Sequence, residues 1–178
     1  MRNRAIWFCG IVLLTAAPLA AAPPPWRLGA PETVVASSGV FEPIAHGDSY
    51  EIGAELRFAP RRFGFFPSSL PDLVPTAGVS AGAQGSLYVY GGFRFDFPLG
   101  ERWTVSPGTA AGLYYRAARF DLGGPLEFRS QVELSYRLPG GSRLGLCLYH
   151  LSNAGLFMRN PGSESLVLTY STGLARRR

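Results

Sequence analysis

Apolar and polar residues alternate one by one along most of this chain. Tyr50, Ile52, Ala54, Leu56 and Phe58 alternate with Glu51, Gly53, Glu55 and Arg57. Leu87, Val89, Gly91, Phe93, Phe95 and Phe97 alternate with Tyr88, Tyr90, Gly92, Arg94 and Asp96. Leu126, Phe128, Val132, Leu134, Tyr136 and Leu138 alternate with Glu127, Arg129, Gln131, Glu133, Ser135 and Arg137. A period of two is the mark of a strand with one apolar and one polar face. The pattern predicts eight strands near 33–41, 48–58, 72–83, 86–97, 102–116, 125–138, 142–153 and 164–174, of which the first, third and fifth are the least regular.

A water-soluble sandwich also alternates in this way. Two details favour a membrane barrel. The strands run to about ten residues, the length that crosses a bilayer at a tilt. The polar faces also carry both charges, as Glu127, Arg129, Glu133 and Arg137 do on one strand. In a small barrel such residues pair inside the lumen. An even strand count closes without edges. The predicted fold class is therefore all-β, an eight-stranded antiparallel transmembrane outer-membrane β-barrel.

The amino terminus supports export. Met1-Arg2-Asn3-Arg4, an apolar run from Ala5 to Ala17 and the small residues Ala20-Ala21-Ala22 form a secretory signal peptide. The chain divides into a cleaved segment, 1–21, and a single barrel domain, 22–178. Cleavage leaves Cys147 alone, so the mature chain has no internal disulfide. No CxxC pair or cluster of metal ligands is present in the sequence. All 17 basic residues are arginine, and loss of Arg2 and Arg4 lowers the net charge from +5 to +3. That balance suits anionic headgroups and is too weak to argue for nucleic acid.

The tight turns Pro98-Leu99-Gly100-Glu101 and Pro139-Gly140-Gly141-Ser142 have periplasmic character, which makes 117–124 and 154–163 external loops. Residues 59–71, rich in Pro and Phe, fall where a short periplasmic turn is expected. They read as an interfacial element or as a misplaced strand edge. Arg116, Arg119 and Arg159 lie on the external side, within reach of lipid phosphates. Arg61, Arg62 and the tail Arg176-Arg177-Arg178 read as headgroup or solvent contacts. His46, with Asp48 and Ser49, lacks an accompanying Gly/Asn cluster and reads as a loop residue.

The chemistry concentrates at one place. Leu144, Leu146, Leu148, His150 and Ser152 share one face of a strand, and Glu164, Leu166, Leu168 and Tyr170 share one face of the next. In a hairpin, an acid, an imidazole and a hydroxyl meet on one apolar surface near its outer end. Taken singly, each has a plain structural explanation: a loop-edge serine, an interfacial histidine, an acid marking the edge of the hydrocarbon. Together they make the inventory of a serine hydrolase.

The run His150-Leu151-Ser152-Asn153-Ala154-Gly155-Leu156, followed by Asn160-Pro161-Gly162 and Glu164, resembles the lipid A 3-O-deacylase (PagL-like, acyloxyacyl hydrolase) family. That family carries His-x-Ser-Asn-x-Gly, with an acid a dozen residues beyond the serine. The resemblance implies hydrolysis of the ester-linked acyl chain at the 3-position of lipid A. Ser152 would be the nucleophile, His150 the general base and Glu164 the group that orients His150. Asn153, Gly155 and Asn160 would support the oxyanion and the loop. No metal or cofactor is implied. The implied partners are lipid A or lipopolysaccharide and the bacterial outer membrane, with a homodimer left open. Arg159 stands before Asn160 where the family usually has proline, and the chain ends in Leu174-Ala175-Arg176-Arg177-Arg178 rather than in an aromatic residue. The competing readings are a structural or adhesive small barrel and an esterase acting on another lipid, such as a phospholipid.

Overall fold

The computed structural model describes residues 28–41, 49–82, 85–116 and 120–174. The expected signal peptide, His46, Asp48, Arg119 and the arginine tail lie outside the described residues. The described chain forms β1 (Pro31–Phe41), β2 (Ser49–Phe58), β3 (Leu73–Gly82), β4 (Leu87–Phe95), β5 (Phe97–Leu99), β6 (Trp103–Tyr115), β7 (Leu126–Arg137), β8 (Arg143–Ser152) and β9 (Ser163–Gly173). Neighbours pair antiparallel from β4 through β3, β2, β1, β9, β8 and β7 to β6. β4 also pairs with β6, so the sheet closes on itself.

Nine segments make eight barrel walls, because β5 continues β4 along β6. The predicted strand 86–97 is interrupted at Asp96. Arg94 pairs with Gly108 and Phe97 with Val105, so the register runs unbroken across the gap. That register sets Pro107 opposite Phe95. Proline has no N–H for the ladder, and the pairing lapses there. Asp96 turns its carboxylate to its own wall, accepting from Arg94 Nε at 2.9 Å and from Ser106 Oγ at 2.8 Å.

The alternation resolves as polar-in and apolar-out. Along β8, Gly145, Cys147, Tyr149 and Leu151 are buried, while Leu144, Leu146, Leu148 and His150 are exposed. Along β2, Glu51, Glu55 and Arg57 are buried, while Tyr50, Ile52 and Leu56 are exposed. A globular protein in water would reverse this, since exposed leucine rows meet no core. In a bilayer the outward rows meet acyl chains, where an outward arginine near the midplane would cost roughly 2–4 kcal/mol.

The lumen is filled by a charged network. Glu133 on β7 receives Arg57 Nη2 at 2.7 Å and a two-pronged contact from Arg94 at 3.2 Å on each oxygen. Arg57 also holds Glu55 at 2.8 Å. Glu133 thus pairs inside the lumen as expected, with partners on other strands, and no ion pair joins Glu127, Arg129, Glu133 and Arg137 to one another among the described residues. Arg129 lies between the rings of Tyr90 and Tyr149, at 4.8 and 3.7 Å from their centroids. Tyr149 donates to Glu51. Arg137 is exposed at the end of β7.

Candidate active site

β8 and β9 form a hairpin in an unbroken antiparallel register, from Arg143 opposite Ser171 to Leu151 opposite Ser163. The register places His150 directly opposite Glu164. Both side chains face outward, because Tyr149, Leu151, Ser163 and Ser165 take the inward positions. His150 Nδ1 lies 3.1 Å from Glu164 Oε1, with the two side chains 45% and 46% exposed. An imidazole bonded through Nδ1 is held in the tautomer that leaves Nε2 as a base.

Gly162 shows which way that nitrogen looks. Gly162 has φ +70°, and a Cβ placed on it would stand 2.8 Å from His150 Cε1 and 3.3 Å from Nε2. Gly162 precedes Ser163, the partner of Leu151, so it lies level with residue 152. The Cε1–Nε2 edge of the ring therefore faces Gly162, at the rim end of the hairpin. Ser152 is the last residue of β8, half-buried and on the same outward face. No hydrogen bond joins its Oγ to His150 among the described residues. Contacts of this kind often tighten only when substrate binds.

A second serine lies nearby that the linear pattern does not single out. Ser130 on β7 is the cross-strand partner of His150 and is exposed on the same face. Only register reveals it, since Ser130 is twenty residues away from His150 in the chain.

The loop after Ser152 is tied by two asparagines. Asn153 is fully buried; its Nδ2 donates to Leu122 O at 3.0 Å and to Arg159 O at 2.8 Å. Its Oδ1 accepts the Gly155 N–H at 3.0 Å, and its own backbone N–H donates to Asn160 Oδ1 at 3.0 Å. The Gly155 N–H is thus engaged inside the loop. Ala154 has φ 53°, the sole non-glycine residue with positive φ among the described residues. Such strain persists where surrounding contacts over-determine it. Leu122 is the participant with no sequence signal of its own; the adjacent Gly123-Gly124 is the hint, since a side chain at Gly123 would overlap the Arg159 carbonyl.

Beyond the knot, Arg116 and Arg159 reach one oxygen of Asp121, at 2.7 and 3.3 Å. The Asp121 carboxyl is held below its usual range, first by the Gly123 N–H and then by Arg116 and Arg159, with burial opposing. No group of three His, Cys, Asp or Glu side chains among the described residues is placed to hold a metal ion.

Fold and site together define a small transmembrane β-barrel with an acid–imidazole pair and a serine on its membrane-facing rim. The family description "Lipid A 3-O-deacylase (PagL)" matches residues 49–172, and the chain belongs to that family. A protein named lipid A deacylase PagL, from Bordetella bronchiseptica (strain ATCC BAA-588 / NCTC 13252 / RB50), is 32% identical over 79 residues, 43% of this chain and 44% of that one. The chain thus spans less than half the length of that curated relative. A structure described as "Crystal structure of the outer membrane enzyme PagL" superposes with a TM-score of 0.60 at 22% identity, over 80% of this chain and 99% of that one. That likeness concerns the fold.

Proposed function

We propose that this protein is an esterase that removes the acyl chain at the 3-position of lipid A, using Ser152, His150 and Glu164. The observation that carries the reading is the His150–Glu164 pair at one register level, on the outward face, with Ser152 one outward position nearer the rim. A catalytic group on the outside of a barrel meets lipid and little else. Export by residues 1–21 and exposure of the His150 end to the outer leaflet belong to the same proposal. The tight turns at the opposite end support that orientation.

The steps follow from ordinary acyl-transfer chemistry. Ser152 Oγ attacks the ester carbonyl carbon, and its proton passes to His150 Nε2. Glu164 holds the imidazole and offsets the charge that forms on it. The tetrahedral intermediate expels the sugar alkoxide, which takes the proton back from His150. Water, activated by the same base, then releases the fatty acid and restores Ser152. The oxyanion needs donors, each worth about 3–4 kcal/mol. Asn153 and Asn160 fix the loop in place. With the Gly155 N–H engaged by Asn153, the Ala154 N–H and the Asn160 NH2 group are among the loop donors that could serve the oxyanion. Arg116 and Arg159 supply positive charge beside this loop for a phosphorylated headgroup.

The test is mass spectrometry of lipid A from cells carrying the protein and from cells carrying Ser152→Ala. The expected result is loss of one ester-linked hydroxyacyl chain in the first strain and intact lipid A in the second. Identical lipid A in both, with the protein folded in the outer membrane, sinks the proposal. Release of fatty acid from phospholipid instead would keep the triad and replace the substrate.

A further inference from the structure

The connection between β2 and β3, residues 59–72, leaves the barrel at the end opposite His150. It is a built element rather than a simple turn. Arg61 and Leu73 exchange both backbone hydrogen bonds, at 2.7 and 2.9 Å, and so pinch its neck. Arg62 clamps the far side, bonding Asp72 at 2.7 Å and Leu70 O at 2.9 Å. Phe66 N–H bonds Phe63 O at 3.0 Å, and Leu70 N–H bonds Pro67 O at 3.1 Å. Pro60, Pro67 and Pro71 remove further freedom by fixing φ.

This frame displays three aromatic rings. Phe65 stacks tilted on Phe66 at 4.6 Å and on Phe63 at 5.6 Å. Phe66 meets Phe95 edge-on at 5.5 Å, and Phe95 meets Phe93 at 5.9 Å. Phe93 and Phe95 alternate on β4 with the inward Tyr88, Tyr90 and Arg94, so they face outward. The loop therefore folds against the outside of the barrel and extends its lipid-facing surface. Phe65 remains 77% exposed at the tip of the cluster. Removing such a ring from water is favourable. A frame that holds it out rigidly makes sense beside an apolar solvent, and aromatic rings gather at the rims of membrane barrels.

We propose that loop 59–72 is a membrane wedge, which seats Phe65 and Phe66 in the phospholipid leaflet at the end of the barrel opposite His150. The continuity of the ring cluster with the outward faces of Phe93 and Phe95 identifies the occupant as lipid. The clamp residues Arg62 and Asp72 sit at the polar boundary. The wedge depends on the barrel's residence in a membrane and stands whether or not the rim serine is catalytic.

The full chain is folded into vesicles of phosphatidylethanolamine and phosphatidylglycerol, with a nitroxide on Phe65→Cys and Cys9 and Cys147 replaced by Ala. Collision with oxygen, which concentrates in acyl chains, is compared with collision with a water-soluble nickel chelate. A Glu101→Cys label, on an exposed turn at the same end, is the aqueous reference. The expected result is a label on Phe65 relaxed by oxygen and shielded from nickel, against the reverse at Glu101. Nickel access at Phe65 equal to that at Glu101 overturns the wedge. Shielding from both reagents also overturns it, since a second copy or another part of this chain would then cover the rings. Should the cysteine variants fail to fold, the unsubstituted chain is irradiated with a phospholipid bearing a diazirine on its acyl chain. Adducts on Phe65 or Phe66 support the wedge, and their absence beside adducts on Phe93 or the β8 leucines overturns it.

Discussion

The lumen and the outer rim use similar side chains to opposite ends. Inside, Glu133 receives Arg57 and Arg94, Arg57 also holds Glu55, and Arg94 also holds Asp96. Every guanidinium of that cluster has a carboxylate, and Glu133 is 2% exposed. Outside, Glu164 has His150, whose far edge is left open beside a glycine, and both partners are nearly half exposed. A charge network whose members are matched to one another has little to offer a substrate. In the lumen this holds for the Glu133 cluster, while the Glu127 carboxylate and Arg129 Nε make no hydrogen bond among the described residues. An unsaturated one holds its reactive valences ready. The difference predicts that lumen substitutions alter stability and rim substitutions alter turnover.

The strongest way to break that comparison is at Ser152 and His150. Ser152→Ala and His150→Ala should each lower lipid A deacylation by at least about a thousandfold, because residues acting as one unit fail together. Both proteins should keep the parent's heat-modifiable migration on gels. Loss of folding in either variant would put the rim among the stabilising regions. Glu164→Ala should be about a hundredfold less severe than Ser152→Ala, since an orienting acid is partly replaceable. Glu164→Gln should fall between Glu164→Ala and the parent, because an amide oxygen still accepts from Nδ1 and carries no charge. Initial rates on purified lipid A rank the three.

Glu133→Ala sharpens the other side. It removes the carboxylate that two buried guanidiniums share, leaving Arg57 only Glu55 and Arg94 only Asp96, and should cost about 3–5 kcal/mol. Unfolding by urea from detergent micelles reads that loss, while turnover per folded molecule should stay close to the parent's. A fall in turnover with unchanged stability would show that the lumen is coupled to the rim. Gly162→Ala tests the open edge itself. Its left-handed φ costs an alanine about 1–2 kcal/mol. The new methyl also meets the imidazole at Cε1, and a displacement of about 1 Å is enough for a loss of roughly a hundredfold in rate. Turnover near the parent's would mean that the Nε2 edge points elsewhere.

The two regions also differ in how far the bare chain reveals them. Strand identity and facing were legible wherever the alternation was regular, as along β2, β4, β7 and β8, since a period of two needs no knowledge of neighbours. The juxtaposition of His150 and Glu164 was legible for the same reason, as a hairpin fixes its register locally. What depended on distant partners was hidden. The break at Asp96 follows from Pro107 on the facing strand. The lumen pairs join Arg57 to Glu133, 76 residues apart. Loop 59–72 takes its place from Phe93 and Phe95, and Asn153 from Leu122 and Arg159. Pattern records a residue's own strand; partnership across the barrel is a property of closure.

The smallest expected effect concerns the two serines that flank the pair. Ser130 faces His150 across the β7–β8 ladder on the outward side, and Ser165 follows Glu164 on the inward side with its hydroxyl buried. Neither lies at the rim end of the hairpin, where the Cε1–Nε2 edge of the imidazole meets Gly162. Ser130→Ala and Ser165→Ala should therefore each keep turnover within about twofold of the parent, since neither removes a transition-state contact. A serine-directed phosphonate should still label both variants and fail to label Ser152→Ala. A Ser130→Ala protein that loses labelling would move the nucleophile one strand over, to the row Ser130, His150 and Glu164. A Ser165→Ala protein as damaged as Glu164→Ala would instead mean that the facing of β9 is reversed, and with it the division between a closed lumen and an open rim.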